Sequence, residues 1–346
     1  MLAARLYGKE DIRLEEVSRP DITENEILLK VQSSFVCGTD VRMYKNGHPN
    51  ATPDSPLILG HELSGVIEGV GKNVTCYKEG NRVAVAPNMG CGICDLCIGG
   101  NTHLCPDYKA LGISLGGAFA EYARIPEAAI RQGNVIELKE NVTYKEGALV
   151  EPLSCVYNAF ERSNIRPGDY VLVIGAGPIG IMHAKLAKAA GAAKVIINDL
   201  VEARLELCRK IDPAFMVVSG NNIKEQIMDE TGGKGVDVYI TACPAAAAQE
   251  ASLSMMAVNG RVIFFGGLPK GTKVTLDTNL IHYKQLIISG TTRASLRQYR
   301  KTLDLVAAGE IEVQDLVSGS YVLADFHKAI DNASRGIGLK NEIVFE

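Results

Sequence analysis

The chain has 346 residues, of which 47% are hydrophobic and 22% charged, and its formal net charge at pH 7 is -4. This length suffices for two domains with substantial cores, and the small acidic balance argues against a nucleic-acid surface or a polybasic membrane patch. The first residues lack the apolar run of a signal peptide, and no stretch is long enough for a transmembrane helix. We therefore expect a cytoplasmic protein with neither nucleic acid nor membrane as a partner.

The predicted elements change in character along the chain. Up to about residue 150, short apolar runs broken by Gly, Pro and Asn predict an irregular, mainly antiparallel β domain, with strands at 27–31, 65–70, 82–86 and 119–123. Helices predicted to begin at Ile179 and Val201 then alternate with apolar strands at 170–174, 194–198, 237–241, 261–265 and 285–289. This alternation predicts an α/β domain with a doubly wound parallel sheet. An amphipathic segment at 303–308 and a strand at 342–346 are expected to return to the first domain.

Four cysteines lie close together in the first domain, at Cys91, Cys94, Cys97 and Cys105. Tetrahedral zinc needs four donors at about 2.3 Å, and Cys-x-x-Cys steps bring thiolates onto one ion with little loop-closure cost. Two disulfides or an iron–sulfur cluster are the alternatives. The nine cysteines in total fit a reducing compartment, so we interpret the quartet as a closed structural zinc site.

A glycine-rich motif follows the first apolar strand of the second part. Gly175, Gly177 and Gly180 form Gly-x-Gly-x-x-Gly between that strand and a predicted helix. The first glycine permits a tight turn, the second lets a pyrophosphate approach the backbone, and the third lets helix and strand touch. We therefore expect the loop, with Pro178 and Ile179, to bind a dinucleotide at the helix N-terminus.

The next strand ends in Asp199, about two dozen residues further on. A carboxylate at this place binds the ribose diol and would repel a 2′-phosphate, which favours NAD. Arg204, one turn into the following helix, is a candidate to lie along the adenosine. The alternatives are a helix N-cap for Asp199 and a solvated surface position for Arg204.

A second set of possible metal ligands is spread over the first part, at Cys37, His61, Glu62 and Glu151. None of these is persuasive singly, because a lone Cys or His is more often part of a core. However, the segment from Gly60-His61-Glu62 to Val74 resembles the zinc signature of the medium-chain dehydrogenases/reductases. The cysteine quartet, Glu151-Pro152 and the glycine motif follow in that family's order, so the resemblance covers essentially the whole chain.

The resemblance implies a fold and a cofactor set. It implies a GroES-like catalytic domain at 1–152 and 290–346, with a structural zinc lobe at about 88–106, and a Rossmann NAD-binding domain at 153–289. It also implies two zinc ions per chain, one catalytic and one structural, and by analogy a tetramer. Because Glu62 adjoins the ligand His and Glu151 precedes Pro152, the chain is most similar to the polyol and threonine dehydrogenase branch.

The resemblance further implies roles for individual residues. Cys37 and His61 would bind catalytic zinc together with Glu62 or Glu151, and the other carboxylate would act through water or by exchange. Three protein ligands leave an open position, where an alcohol becomes more acidic, as removal of a hydride demands.

Thr39 corresponds to the hydroxyl that accepts the substrate proton, and Arg293 to an arginine that approaches substrate hydroxyls. Many relatives carry His three residues after that hydroxyl, whereas this chain has Arg42. Because Arg does not shuttle protons near neutrality, the proton would leave through ribose hydroxyls, water or His48. Arg42 is free to hold an anionic substrate group instead.

The implied activity is NAD-dependent oxidation of a secondary alcohol of a polyol, sorbitol-, xylitol- or iditol-like or a polyol phosphate, to a ketose. L-threonine 3-dehydrogenase and butanediol or alcohol dehydrogenase are alternatives within the class. A non-catalytic nucleotide-binding structural or regulatory protein is an alternative from another class. A zinc-finger nucleic-acid module is disfavoured, because no basic recognition helix follows the cysteines.

Overall fold

The chain divides into two units in the computed structural model, which describes residues 1–221 and 223–345. The first unit comprises Met1–Ser154 with Ala294–Glu346, and the second comprises Cys155–Arg293. The predicted domain boundaries after residues 152 and 289 lie two and four residues from these limits.

The strands of the first unit vary in length from two residues to nine, and those of the second unit from four residues to nine. They are β1 (Leu2–Gly8), β2 (Asp11–Glu16), β3 (Ile27–Phe35), β4 (Leu57–Ile58), β5 (Glu62–Val70), β6 (Arg82–Val85), β7 (Asn88–Met89), β8 (Lys109–Ala110), β9 (Tyr122–Ile125), β10 (Val135–Glu137), β11 (Tyr170–Ile174), β12 (Lys194–Asp199), β13 (Met216–Ser219), β14 (Val236–Thr241), β15 (Met256–Phe264), β16 (Ile287–Gly290), β17 (Val317–Val322) and β18 (Lys340–Val344).

The helices occur in both units. They are α1 (Gly38–Asn46), α2 (Asp95–Ile98), α3 (Glu127–Gln132), α4 (Tyr144–Ser163), α5 (Pro178–Ala189), α6 (Glu202–Ile211), α7 (Lys224–Glu230), α8 (Ala246–Ala251), α9 (Thr278–Tyr283), α10 (Leu296–Ala307) and α11 (Phe326–Arg335).

The first unit is built on a mixed sheet with the order β10-β6-β5-β3-β18-β17, in which β9 also pairs with β3. Alternate residues of the central strand β3, Ile27, Leu29 and Val31, are buried against Leu63 and Ile67 of β5, as the two-residue period of a strand requires. Strand β18 runs antiparallel to β3. The C-terminal strand therefore belongs to the first unit, as predicted.

The second unit contains a parallel sheet with the order β13-β12-β11-β14-β15-β16. Its central strands β11, β12 and β14 are almost continuously buried, because helices cover both faces of such a sheet. The strand order reverses between β11 and β14, and ligands bind doubly wound sheets at this kind of switch point. The predicted α/β class is confirmed.

Two details of the first unit differ from the predictions. The strand predicted at 119–123 lies later, at β9, because the backbone N–H of Phe119 bonds the carbonyl of Leu59 and its carbonyl accepts from Ala4 outside any regular strand. Pro152, at the predicted end of the first domain segment, lies inside the 20-residue helix α4. Proline usually interrupts a helix, but Leu149 and Leu153 beside it are fully buried, so packing holds the helix together.

No helix within 1–221 and 223–345 combines the length and the apolar character that crossing a membrane requires.

Candidate metal and nucleotide sites

The four cysteines of the predicted structural site converge, with all four sulfurs within 4.8 Å of one another. The Sγ atoms of Cys91 and Cys97 are 4.0 Å apart, and those of Cys94 and Cys105 are 3.8 Å apart. A tetrahedral ion with ligands at about 2.3 Å separates its sulfurs by about 3.8 Å, whereas a disulfide joins them at about 2.05 Å. The donor set therefore fits one zinc ion, and all nine cysteines are free, which contradicts the disulfide alternative.

Local backbone geometry explains why these cysteines meet. A Cβ on Gly90 would lie 2.4 Å from the sulfur of Cys97, and Gly92 has a φ of +83°, which favours glycine. The one-turn helix α2 begins directly after Cys94 and carries Cys97. The glycines make room for the sulfurs, and the helix aims two of them at a common point.

The second predicted ligand set is brought together in part. Ligand atoms of Cys37, His61 and Glu62 lie within 4.8 Å of one another, and His61 and Glu62 are buried. Cys37 follows β3 and precedes α1, while Glu62 opens β5 and is paired with Phe35. Pairing of β3 with β5 thus places one thiol, one imidazole and one carboxylate around a point, with the chemistry of a catalytic zinc site.

Glu151 is not a member of that compact group among the residues that the structure describes. It lies on helix α4, and it is buried with an exposed fraction of 7%. Its charge nevertheless acts on buried groups of the same unit, since it contributes to raising the pKa of Tyr299 and of Lys340. Glu62 is thus the carboxylate grouped with Cys37 and His61, and Glu151 is a second buried carboxylate close enough to act on Tyr299 and Lys340.

Asp40 supports His61 and was missed from the sequence. Its Oδ1 lies 3.4 Å from Nδ1 of His61, and its Oδ2 accepts a 2.8 Å hydrogen bond from the backbone N–H of Cys37. Burial lowers the pKa of His61, but the charges of Asp40 and Cys37 outweigh it and raise this pKa well above the usual value. A carboxylate on one ring nitrogen orients the imidazole and leaves the other for a metal. The Cys-x-x-Asp spacing at the start of a helix was the available signal.

Thr39 and Arg42 lie three residues apart on helix α1, a spacing that places side chains on one helix face. Thr39 is half-buried and Arg42 is exposed. Partial burial lowers the pKa of His48, and the positive charge of Arg42 lowers it further, so these two groups are near each other. Next to the predicted proton acceptor, the chain therefore carries a cation.

The glycine motif has the predicted context, since β11 ends at Ile174 and α5 begins at Pro178. Gly175 has a φ of +113°, and a Cβ on Gly180 would lie 1.7 Å from the carbonyl oxygen of Gly175. A Cβ on Gly177 would meet nothing within 4 Å. Two of the glycines are therefore required by the turn itself, and the third leaves open space at the N-terminus of α5, where a pyrophosphate would approach.

Asp199 ends β12 and is tied to the same turn. Its Oδ2 accepts a 2.8 Å hydrogen bond from the backbone N–H of Ala176, and its Oδ1 accepts one of 2.9 Å from Val201. A guanidinium nitrogen of Arg204 lies 3.6 Å from Oδ2. Asp199 thus holds the turn against the start of α6, and the two predicted nucleotide residues are neighbours.

Arg293, the predicted substrate residue, has the positive φ of 54°. This is the left-handed region that non-glycine residues seldom occupy. The side-chain amide of Asn158 donates a 2.9 Å hydrogen bond to the backbone carbonyl of Arg293. Backbone conformations of this kind, when hydrogen bonds to neighbouring side chains fix them, are frequent at functional sites.

Comparisons with known proteins decide the family. The model of the alcohol dehydrogenase GroES-like domain matches residues 23–134, and that of the zinc-binding dehydrogenases matches residues 178–308. The sorbitol dehydrogenase of Bacillus subtilis (strain 168) is 33% identical over 345 residues, which cover 99% of this chain and 95% of the relative. The chain belongs to the zinc-dependent medium-chain dehydrogenases. It is an oxidoreductase of their polyol and threonine dehydrogenase branch.

Two further relatives fall in the same family. The L-threonine 3-dehydrogenase of Bacillus velezensis is 33% identical over 330 residues, covering 93% of this chain and 92% of the relative. A candidate zinc-binding dehydrogenase from Sinorhizobium meliloti 1021, solved with bound NADP, superposes with a TM-score of 0.91 at 30% identity and covers 99% of each chain.

This medium-chain dehydrogenase contains two more buried groups that sequence reasoning missed. Lys340, at the start of β18, is bound to Glu62. Tyr299, on α10, is 2% exposed, and its hydroxyl has no hydrogen-bond partner within the described residues. Burial raises the pKa of Tyr299, and the charges of Glu151 and Glu62 raise it further. A lysine two residues before the strand predicted at 342–346 was the available sequence signal for the first of them.

Proposed function

We propose that this medium-chain dehydrogenase oxidises a secondary alcohol of a polyol to a ketone with NAD, giving a ketose. The observation that carries the proposal is the group of half-buried Cys37 with buried His61 and Glu62, whose ligand atoms lie within 4.8 Å of one another. A thiolate, an imidazole and a carboxylate are a donor set that binds zinc and leaves a position for substrate.

We assign two zinc sites to the chain. Cys37, His61 and Glu62, with Glu151 as the exchanging or water-mediated carboxylate, would hold the catalytic ion, and the four cysteines would hold the structural one. When bound, the catalytic ion makes the substrate hydroxyl more acidic and the nicotinamide accepts the hydride from its carbon.

The side chains of this chain would position the reactants and move the proton. The Thr39 hydroxyl accepts the proton from the substrate hydroxyl and passes one of its own onward, so it stays neutral. Asp40 keeps the His61 ring oriented through its Nδ1. Arg293 would bind a second hydroxyl of the polyol.

The turn at Gly175 to Gly180 would bind the pyrophosphate of the cofactor, and Asp199 would accept from the ribose diol. The carboxylate favours NAD, although Arg204 beside it could accommodate a 2′-phosphate. Comparison of kcat/KM for NAD and NADP tests this assignment. A preference for NADP would contradict it.

The substrate class is tested by one screen. Reduction of NAD is measured across polyols, polyol phosphates, threonine and vicinal diols, and the highest kcat/KM is expected for a polyol or its phosphate. Because threonine dehydrogenases are as similar as sorbitol dehydrogenases, threonine is the second candidate. Full turnover after removal of all metal would overturn the zinc mechanism. Binding of two metals without turnover of any alcohol would instead favour a non-catalytic protein.

Arg42 provides a test of phosphorylated substrates. If the substrate is a polyol phosphate, Arg42→Ala is expected to raise its KM about tenfold, the usual worth of one charge-assisted contact of about 1.4 kcal/mol, and to leave neutral polyols unchanged. Lys45→Ala, which removes another exposed cation from the same helix, is the control. Unchanged Michaelis constants for both substrate types in Arg42→Ala would contradict a phosphate-binding role.

We further propose a tetramer, on the analogy of relatives. Light scattering of the purified protein distinguishes a tetramer from a dimer or a monomer.

A further inference from the structure

The ammonium group of Lys340 is buried beside the proposed catalytic metal site. Lys340 opens strand β18, and its exposed fraction is 4%. A lysine is seldom buried unless an opposite charge is at hand, because removing an ammonium from water is costly. The contacts of the Lys340 ammonium group therefore indicate which charged group it stabilises.

The contacts of Lys340 converge on two of the proposed ligands. Its Nζ lies 2.7 Å from Oε1 of Glu62 and 2.5 Å from Oε2, and 3.3 Å from the backbone carbonyl of Val36, the residue before Cys37. Strand pairing creates this arrangement, since Phe35 is opposite Glu62 on one side and opposite Glu342 on the other. One cation thus binds the carboxylate ligand and the backbone beside the thiolate ligand.

The charge balance of the site gives this contact a consequence. Cys37, Asp40, Glu62 and Glu151 are four acidic groups in or next to the site, and they outnumber the two charges of a zinc ion. Lys340 reduces this excess by one. Its ammonium also competes with a metal for the lone pairs of Glu62, because both are attracted to the same two oxygens.

We propose that Lys340 is a positioning residue that holds Glu62 and weakens its bond to the catalytic metal, so that this ligand can be exchanged. The inference rests on the proposed metal site at Cys37, His61 and Glu62. Without the ammonium, Glu62 would bind the metal more tightly, and the affinity of the site for the metal would rise. The four-cysteine site, which Lys340 does not contact, would be unaffected.

The test measures metal affinity and needs no substrate. Zinc affinity is determined by competition with a chelator, and the cobalt(II) protein is examined by absorption spectroscopy. Cys37→Ala shows the signal of the four-cysteine site alone. Lys340→Met is expected to bind the metal at the Cys37 site at least tenfold more tightly and to change its cobalt spectrum. Lys340→Arg, which keeps the positive charge, should have the metal affinity and the cobalt spectrum of the unmodified chain.

The matched control is Lys145→Met. Lys145 lies 3.1 Å from Glu342, a buried carboxylate on the same strand as Lys340. The Lys145→Met substitution should leave the metal affinity unchanged. If Lys340→Met does not fold, Lys340→Gln keeps a donor to Glu62 without its charge and makes the same comparison.

An unchanged or lower affinity in the folded Lys340 variant, or an equal rise in Lys145→Met, would overturn the inference. If Cys37→Ala retained as much metal as the unmodified chain, the proposed metal site itself would be absent, and the proposed function would fail with it.

Discussion

Gly177 and Gly180 lie in the same turn but have opposite surroundings. A Cβ at Gly180 would fall 1.7 Å from the carbonyl oxygen of Gly175, a distance at which backbone must move. A Cβ at Gly177 would fall in open space. Gly180 therefore allows α5 to pack against β11, whereas Gly177 leaves space for a ligand at the turn.

Alanine substitutions separate these two roles. Gly180→Ala is expected to lower the free energy of unfolding by about 1–3 kcal/mol, or more, because it overpacks the contact between strand and helix. Gly177→Ala should leave stability nearly unchanged but weaken NAD binding, because its methyl group fills the space for the pyrophosphate. Denaturant unfolding and NADH fluorescence titration measure the two effects. Equal losses of stability in both variants would contradict the assignment.

The four-cysteine lobe, residues 88–106, is an element with little core of its own. Its regular parts are the two-residue strand β7, the one-turn helix α2 and a 3₁₀ turn at Thr102–Leu104. Ile93 and Ile98 are 82% and 74% exposed. Burial of apolar surface therefore contributes little to holding the lobe, and the metal is expected to supply most of its order.

Loss of one sulfur ligand should unfold the lobe but not the protein. In Cys105→Ser, we expect limited proteolysis to cleave within 88–106 much faster than in the unmodified chain, while far-UV circular dichroism changes little. Cys76→Ser, which alters an exposed cysteine outside the lobe, is the control. Cleavage rates that do not differ between Cys105→Ser and the unmodified chain would show that the lobe folds without its metal.

At the scale of the whole molecule, the two units differ in how the chain builds them. The second unit is continuous, Cys155–Arg293, whereas the first needs residues from both ends of the chain. Strand β18 pairs with β3 across about 300 residues of sequence. The sheet of the first unit is therefore complete only when the last residues are in place, and we expect the second unit to form first.

Acid stability is a second property of the whole molecule. Burial lowers the pKa of His183, on α5, to about 3. The unfolded chain binds this proton near pH 6.5, whereas the folded chain binds it only near pH 3. The free energy of unfolding is therefore highest above pH 6.5 and falls by about 1.4 kcal/mol per pH unit as the pH drops from about 6.5 towards 3. His183→Phe should flatten the dependence of unfolding free energy on pH in that range, and His282→Gln, at an exposed histidine, should not. Parallel pH profiles for His183→Phe and the unmodified protein would contradict this.

Local motifs were the most predictable parts. The spacing of Cys91, Cys94, Cys97 and Cys105 predicted a cluster that the geometry brings together, because three short loops leave the chain few alternatives. The strand before Gly175 and the helix after it were predicted nearly to the residue, because a continuous apolar run and a glycine turn are both local signals. The fold class and the family followed from the order of these motifs, and both are confirmed.

Long-range relations were not predictable. The helix through Pro152 was missed because burial of its neighbours, rather than local propensity, holds it. The composition of the compact ligand group, the Asp40 contact to His61 and the Lys340 contact to Glu62 depend on how strands and helices pack. The roles of all the predicted site residues, Thr39, Arg204 and Arg293 among them, stay predictions.

The sequence by itself determined the family and indicated the residues proposed for the zinc and dinucleotide sites, because ligand types and loop spacings are local properties of the chain. Only the tertiary structure decided which of those residues meet. It brought the Glu62 carboxylate within 4.8 Å of the ligand atoms of Cys37 and His61, and it added a buried lysine from the C-terminal strand. The physical reason is that β3 separates β5 from β18, and only pairing across the sheet brings their side chains to one buried point.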